Sequence, residues 1–417
     1  MKSRISLFVI LIALLFFRIE NLQHHAKADH KVTTWDAFGY YMYLPGFFIY
    51  HDVKDLKWVE HIDKKYAVTG GKFYQAIQLE SGTYTNKYLC GVAILQMPWF
   101  FLGHTLAAVT NNPQDGFSCP YQYAIMFGAI FWAMLGLIFL RKVLLYYFSE
   151  NVTAFTLLFL VLGSNLPQYI SIDAAQSHVY IFSLYAVLLW LTIKWHENPT
   201  YISAALIGLI CGLAVISRPT ELIIIFLPIL WGIHTKESAK MKWALVAANK
   251  GQLTMCIIMG LVAILPQLLY WKYTTGIFIF DVGSKWYFLN PWFRVLVGSE
   301  KGWFLYTPVA LFMVAGLLFI KLYPFQKAVI TFCLLNIWII ISWSDWRYGG
   351  SYSTRALTQS YPVFALALGS LIQLFFLKKK QLVLGIICLC LICLNVYQLY
   401  VYNYVSPDSF SPLLQFK

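Results

Sequence analysis

The sequence predicts an all-α polytopic membrane protein of about eleven transmembrane helices, N-terminus inside and C-terminus outside. Three observations carry this expectation. First, 59% of the 417 residues are hydrophobic and only 12% are charged, more apolar surface than a soluble domain can hide behind a charged exterior. Second, apolar runs long enough to cross a roughly 30 Å hydrocarbon core recur from end to end. Third, Lys and Arg gather in short connections between those runs, where they fix orientation. That placement also accounts for the formal charge of +13 without nucleic acid, since no basic stripe with interleaved aromatics is present. Residues 1–417 read as a single membrane domain.

In chain order the expected spans are 5–19, 121–140, 152–170, 179–193, 201–216, 222–233, 253–270, 305–320, 328–343, 356–377 and 382–402. Lys2 and Arg4 before the first run resemble a signal peptide, but the small-x-small triplet Ala26-Lys27-Ala28 lies far beyond it, so an uncleaved helix is expected. The further run Gly91–Val109 is interrupted by Gln96, Pro98 and His104. If it only dips into or lies along the outer leaflet, Lys2/Arg4, Arg141/Lys142, Lys194, Lys236/Lys240/Lys242, Lys321/Lys327 and Lys378–Lys380 all fall inside. A full crossing would move every later cluster outside, against the positive-inside rule.

With that parity only Glu150, Glu197 and Glu237 among the acidic residues face inward. The long loops lie outside, at 20–90 (or 20–118 with the ambiguous run), 271–303 and 344–355. Such loops are where chemistry is expected. Six cysteines sit inside apolar runs as small core residues, while Cys90 and Cys119 flank one run and could be bridged. No CxxC or Cys/His metal spacing is present.

The first loop contains Thr34 to Pro45, in which Asp36 is followed at helical spacing by Tyr40, Tyr43 and Phe47. The spacing predicts an amphipathic interfacial helix. Asp36 is then either a base for an incoming hydroxyl or an N-cap. Lys87, in Asn86-Lys87-Tyr88, suits a lipid phosphate or a snorkelling anchor. Asp173 and His178 are five apart and so share no helical face as a metal pair would. Substrate contact or a helix start remain for them. Arg218, beside Pro219, suits an anionic headgroup or a pair with Glu221. Arg294, Lys301, Arg347 and Arg355 lie in two Gly- and Trp-rich outer segments, a composition suited to a sugar and a phosphate, though each alone could be an interfacial anchor.

These motifs together resemble the GT-C membrane glycosyltransferases, specifically the protein-O-mannosyltransferase-like and aminoarabinose-transferase-like clan, with most likeness to its Bacteroidota members. The resemblance rests on Trp35-Asp36 with Gly39-Tyr40-Tyr41, Asn86-Lys87-Tyr88, Ser177-His178, Ser217-Arg218-Pro219-Thr220, 301–308, and 346–351 with Arg355, in this order over most of the chain. It implies a polyprenyl-phosphate sugar donor, a lipid, glycan or protein acceptor, and a bacterial inner membrane with the active face periplasmic. It further implies Asp36 as catalytic base and Lys87 at the donor phosphate, with Arg218, Lys301 and Arg355 carried over more loosely. Many relatives have an acidic pair where Asp36 stands between Trp35 and Ala37. A divalent metal is therefore only weakly implied, and no other cofactor is. Asp345 and Arg347 stand where aromatic residues are usual, and no large soluble domain is expected after the last span. The competing expectations are a lipid-linked glycan flippase, disfavoured by spans almost free of charge, and an O-antigen ligase or polymerase.

Overall fold

The computed structural model describes residues 1–27, 30–321 and 323–405. Ala28 of the small-x-small triplet and the C-terminal residues 406–417 lie outside the described residues. Helices carry the fold, and the one two-stranded sheet among the described residues is the hairpin Ala76–Gln78 with Tyr84–Asn86. Among the described residues seven helices are long and apolar enough to cross a membrane: Lys2–His24, Gly91–Val109, Cys119–Tyr147, Ser177–Glu197, Lys250–Thr275, Arg355–Leu377 and Gln381–Val405. Five shorter apolar helices stand between them, Glu150–Leu162, Tyr201–Val215, Pro219–Leu230, Val309–Phe319 and Gln326–Ile341. The chain is an all-α polytopic membrane protein.

The shorter helices arise where the sequence interrupts an apolar run. The run expected at 152–170 is an α-helix only to Leu162; after Gly163 and Pro167 it re-forms as a π-helical turn, Gln168–Ile172. Thr307-Pro308 likewise separates Trp303–Tyr306 from Val309–Gly316, because proline lacks the N–H a continuous helix needs. Gly91–Val109 is the opposite case, one continuous helix of 19 residues through Pro98. Its polar interruptions find neighbours, although Gln96 Oε1 is buried without a hydrogen-bond partner among the described residues. Gln96 donates to the Ala175 carbonyl at 3.1 Å, and His104 Nδ1 meets the Tyr121 hydroxyl at 2.6 Å.

The first helix packs against Cys119–Tyr147 and Glu150–Leu162 through buried Ile10 and Leu14. At its start the Ser3 hydroxyl donates to the Glu150 carboxylate at 2.6 Å, which also takes Arg141 at 3.1 Å. Tyr201–Val215 and Lys250–Thr275 meet backbone to backbone, since a Cβ on Gly208 would stand 1.9 Å from the Cys256 carbonyl oxygen. Small residues allow such close approach in a membrane.

The loop after the first helix departs from the expected interfacial helix. It forms two short helices, Asp36–Tyr41 and Tyr43–Phe48, whose residues 37–41 and 43–46 are buried. Phe38, Tyr41, Trp58 and Phe117 stack edge to face or tilted into a small aromatic core of their own. Aromatic rings at this spacing serve a lid packed over the helix ends as well as they would a lipid interface. Cys90 and Cys119 are free thiols.

Candidate functional site

A cavity of about 1060 Å³ opens where several connections converge, lined from 31–40, 74–89, 172–178, 217–220, 271–286 and 340–355. These segments follow the helices that end at His24, Leu162, Val215, Thr275 and Ile341. The loops singled out in the sequence as the outer ones therefore share one space.

Asp36 is placed by its neighbour. Trp35 adopts a left-handed backbone (φ 55°), with its N–H donating to the Val68 carbonyl at 2.9 Å and its own carbonyl accepting from Gln75 at 3.0 Å. Its indole lies over Gly70 (φ +75°), where a Cβ would come within 2.4 Å of the ring. Asp36 is thus the first helical residue, not the cap, and its side chain turns to other partners. The hydroxyls of Tyr74 and Tyr88 donate to Oδ1 at 2.7 and 2.6 Å, and the Arg355 guanidinium pairs with Oδ2. The Asp36 side chain is 23% exposed and that of Arg355 12%.

Burial alone would raise the Asp36 carboxyl, but the Arg355 charge and the two tyrosine hydrogen bonds outweigh it and hold the group down at about 2. Burial and the Asp36 charge push the Tyr74 and Tyr88 hydroxyls up, so both remain protonated donors. A folded-state value below the unfolded one gives stability that is present above about pH 4 and lost as pH falls toward 2, on the order of 2 kcal/mol. In detergent, the thermal midpoint of the wild type is expected to fall more steeply than that of Asp36→Asn over this window. Parallel pH profiles would show that the pair carries no such linkage.

The other residues singled out in the sequence divide. Tyr40, Lys87, Asp173, His178, Arg218 and Arg355 line the cavity with Asp36. Tyr41 does not: it is fully buried and its hydroxyl donates to the Gly116 carbonyl at 2.6 Å. Lys301 is buried beneath the 347–351 turn, donating to the Arg347 carbonyl at 3.0 Å and to Gly349, and burial with nearby Arg355 brings its ammonium down to about 8. Arg294 lies over Trp292 and Trp346, and Arg347 over Trp346 with a 3.2 Å contact to Glu300. These three cations shape the outer segments rather than the cavity wall. The alternative pairing of Arg218 with Glu221 is not formed; Glu221 instead accepts from Tyr185 at 2.5 Å and Gln359 at 2.9 Å.

Lys31 and Tyr74 also line the cavity and were not anticipated. Lys31 stands five residues before Asp36 in the same outer loop, which was a usable signal; nothing in the sequence marks Tyr74. The lining holds four basic residues (Lys31, Lys87, Arg218, Arg355) and four acidic ones (Asp36, Asp173, Asp281, Asp345), so it is not simply cationic. Arg355 is committed to Asp36, whereas Lys31, Lys87 and Arg218 make no ion pair with a described residue. Trp35, Tyr40, Trp271, Trp286 and Trp343 supply aromatic walls. Among the described residues no three His, Cys, Asp or Glu side chains gather as a metal site, and Asp36 is held by Arg355. Compared with known proteins, the chain matches no family model and no curated protein.

Proposed function

We propose that the protein is a membrane glycosyltransferase. It would transfer a sugar from a polyprenyl-phosphate donor to an acceptor hydroxyl on the periplasmic face of a bacterial inner membrane. The observation that carries this is the joining, in one aromatic-walled cavity, of the Asp36–Arg355 pair with the uncommitted cations Lys87 and Arg218. Aromatic faces and carboxylates suit a sugar ring and its hydroxyls, and cations suit the phosphate that leaves.

The topology read from the sequence has geometric support. Gly91 donates its N–H to Ile216 at 2.8 Å, at the end of Tyr201–Val215. At its other end, Val109 is joined to Cys119 by the short connection 110–118. If Cys119–Tyr147, Glu150–Leu162, Ser177–Glu197 and Tyr201–Val215 each cross once, the start of the first and the end of the last share a side. In this reading Gly91–Val109 enters antiparallel beside Cys119–Tyr147, with Gly103 against Tyr121 and Trp132 donating to the Leu95 carbonyl at 3.1 Å, and adds no crossing. The remaining apolar segments make about eleven passes, with the cavity outside.

Mechanistically, a carboxyl held at about 2 is a poor base. Arg355 therefore has a second task in this reading. When donor phosphate enters, it competes with Asp36 for the guanidinium, and the carboxylate so released accepts the acceptor's hydroxyl proton as the oxygen attacks the anomeric carbon. Bond formation to that carbon breaks its bond to the phosphate oxygen, and the phosphate leaves with the electron pair beside Lys87, Arg218 and Arg355.

The test is release of polyprenyl phosphate from a panel of short-chain polyprenyl-phosphate sugars by purified protein. No release from any donor, with polyprenyl phosphate still bound, would move the assignment to a lipid-carrier transporter or a ligase using diphosphate-linked substrates. Lys87→Ala and Arg218→Ala are each expected to raise the donor KM about tenfold or more, the effect of one charge-assisted contact. An unchanged KM in both would remove them from the phosphate site.

A further inference from the structure

The bundle contains a chain of buried polar groups that ends at the cavity. Glu221 is buried (1% exposed), and no cation pairs with it among the described residues. Its Oε2 accepts from the Tyr185 hydroxyl at 2.5 Å, and its Oε1 accepts from Gln359 Nε2 at 2.9 Å. The Gln359 carbonyl oxygen then meets His178 Nδ1 at 2.6 Å. His178 is itself buried (1% exposed) and lines the cavity.

The polarity of this chain is set by chemistry at its far end. Gln359 turns its amide N–H to Glu221 and its oxygen to the imidazole, the orientation that a carboxylate at Glu221, which only accepts, holds in place. The contact at 2.6 Å then requires a proton on Nδ1. In a neutral ring that leaves Nε2 with its lone pair, and Nε2 makes no hydrogen bond with a described residue. His178 lines the cavity, so this lone pair is an acceptor that a donor on an entering ligand can meet.

We propose that Tyr185, Glu221 and Gln359 hold His178 as the Nδ1–H tautomer, so that Nε2 is a fixed acceptor for a sugar hydroxyl in the cavity. Gln359 and Glu221 are positioning residues, acting through His178. The tautomer stands on the hydrogen-bond chain alone. Only the identity of the hydroxyl rests on the transferase reading. A pocket that accepts from a hydroxyl rejects a deoxy analogue far more strongly than an apolar pocket could.

The experiment is nitrogen NMR of the full chain in detergent, labelled at its nine histidines, with the His178 signals identified by their loss in His178→Gln or His178→Asn. At neutral pH the wild type is expected to show a protonated Nδ1 and a bare Nε2. Gln359→Leu is expected to convert this to a mixture of tautomers. A wild-type Nε2–H tautomer, an imidazolium, or no change in Gln359→Leu would overturn the lock. Adding a short-chain polyprenyl-phosphate sugar is expected to shift Nε2, with sugar-free polyprenyl phosphate causing a smaller shift. Equal shifts from both, or none from any sugar donor, would overturn the hydroxyl contact while leaving the tautomer result intact. Failure of the transferase assignment itself is read separately, as absence of polyprenyl phosphate release.

Discussion

Asp36→Asn is expected to lower transfer from a polyprenyl-phosphate sugar by about 10²–10⁴-fold, the usual range for a lost general base. The protein should remain folded and membrane-inserted, though less stable than the wild type, because the amide oxygen still accepts from Tyr74 and Tyr88 while Arg355 loses its carboxylate partner. Donor binding should survive or tighten, since Arg355 is no longer drawn to a carboxylate and is free for phosphate. The measurement is single-turnover release of polyprenyl phosphate alongside donor affinity. An active variant would remove Asp36 from the chemistry. An inactive variant that also fails to bind donor would make Asp36 a positioning group for Arg355 instead.

Arg355→Leu is expected to be the more damaging change to stability. It leaves the Asp36 carboxylate half-enclosed with two tyrosine hydroxyls and no cation, and breaking a buried pair from one side costs about 3–5 kcal/mol. The double variant Asp36→Asn/Arg355→Leu removes both charges and should recover part of that loss. Coupling between touching residues of about 0.5–3 kcal/mol is typical. Thermal unfolding of the two single variants and the double variant in one detergent decides it. If the double variant is no more stable than Arg355→Leu, the arginine's contribution lies in packing and not in the pair.

What the sequence revealed and what it concealed follow from the same physics. Which connections belong together was legible because Lys and Arg distribution sorts the loops into two sets, and the loops of the less basic set are those that line the cavity. Asp36, Lys87, Arg218 and Arg355 were visible as charges at helix ends. Their sorting was not. Arg294, Lys301, Arg347 and Arg355 have the same Gly- and Trp-rich surroundings in sequence, and only tertiary packing sends one to Asp36 and the others to Trp346, Glu300 and backbone carbonyls. Tyr40 and Tyr41 are neighbours about 100° apart on a helix, so one can face the cavity and the other the aromatic core. The 3.6-residue aromatic pattern specifies a buried face but not what buries it, and here protein covers residues 37–41 and 43–46 while Phe47 and Phe48 stay exposed. Tyr74 had no signal at all, being a loop residue whose partner is 38 positions away.

The Asp36–Arg355 pair joins residues 319 positions apart. A chain made and inserted from its N-terminus must therefore deliver the first outer loop long before its partner exists. Through most of synthesis the carboxylate at position 36 has only Tyr74 and Tyr88 to shelter it, and the cavity stands without its 340–355 wall. Closure of the site waits on the arrival of that arginine. A chain stopped before residue 355 can be inserted and still lack a finished site.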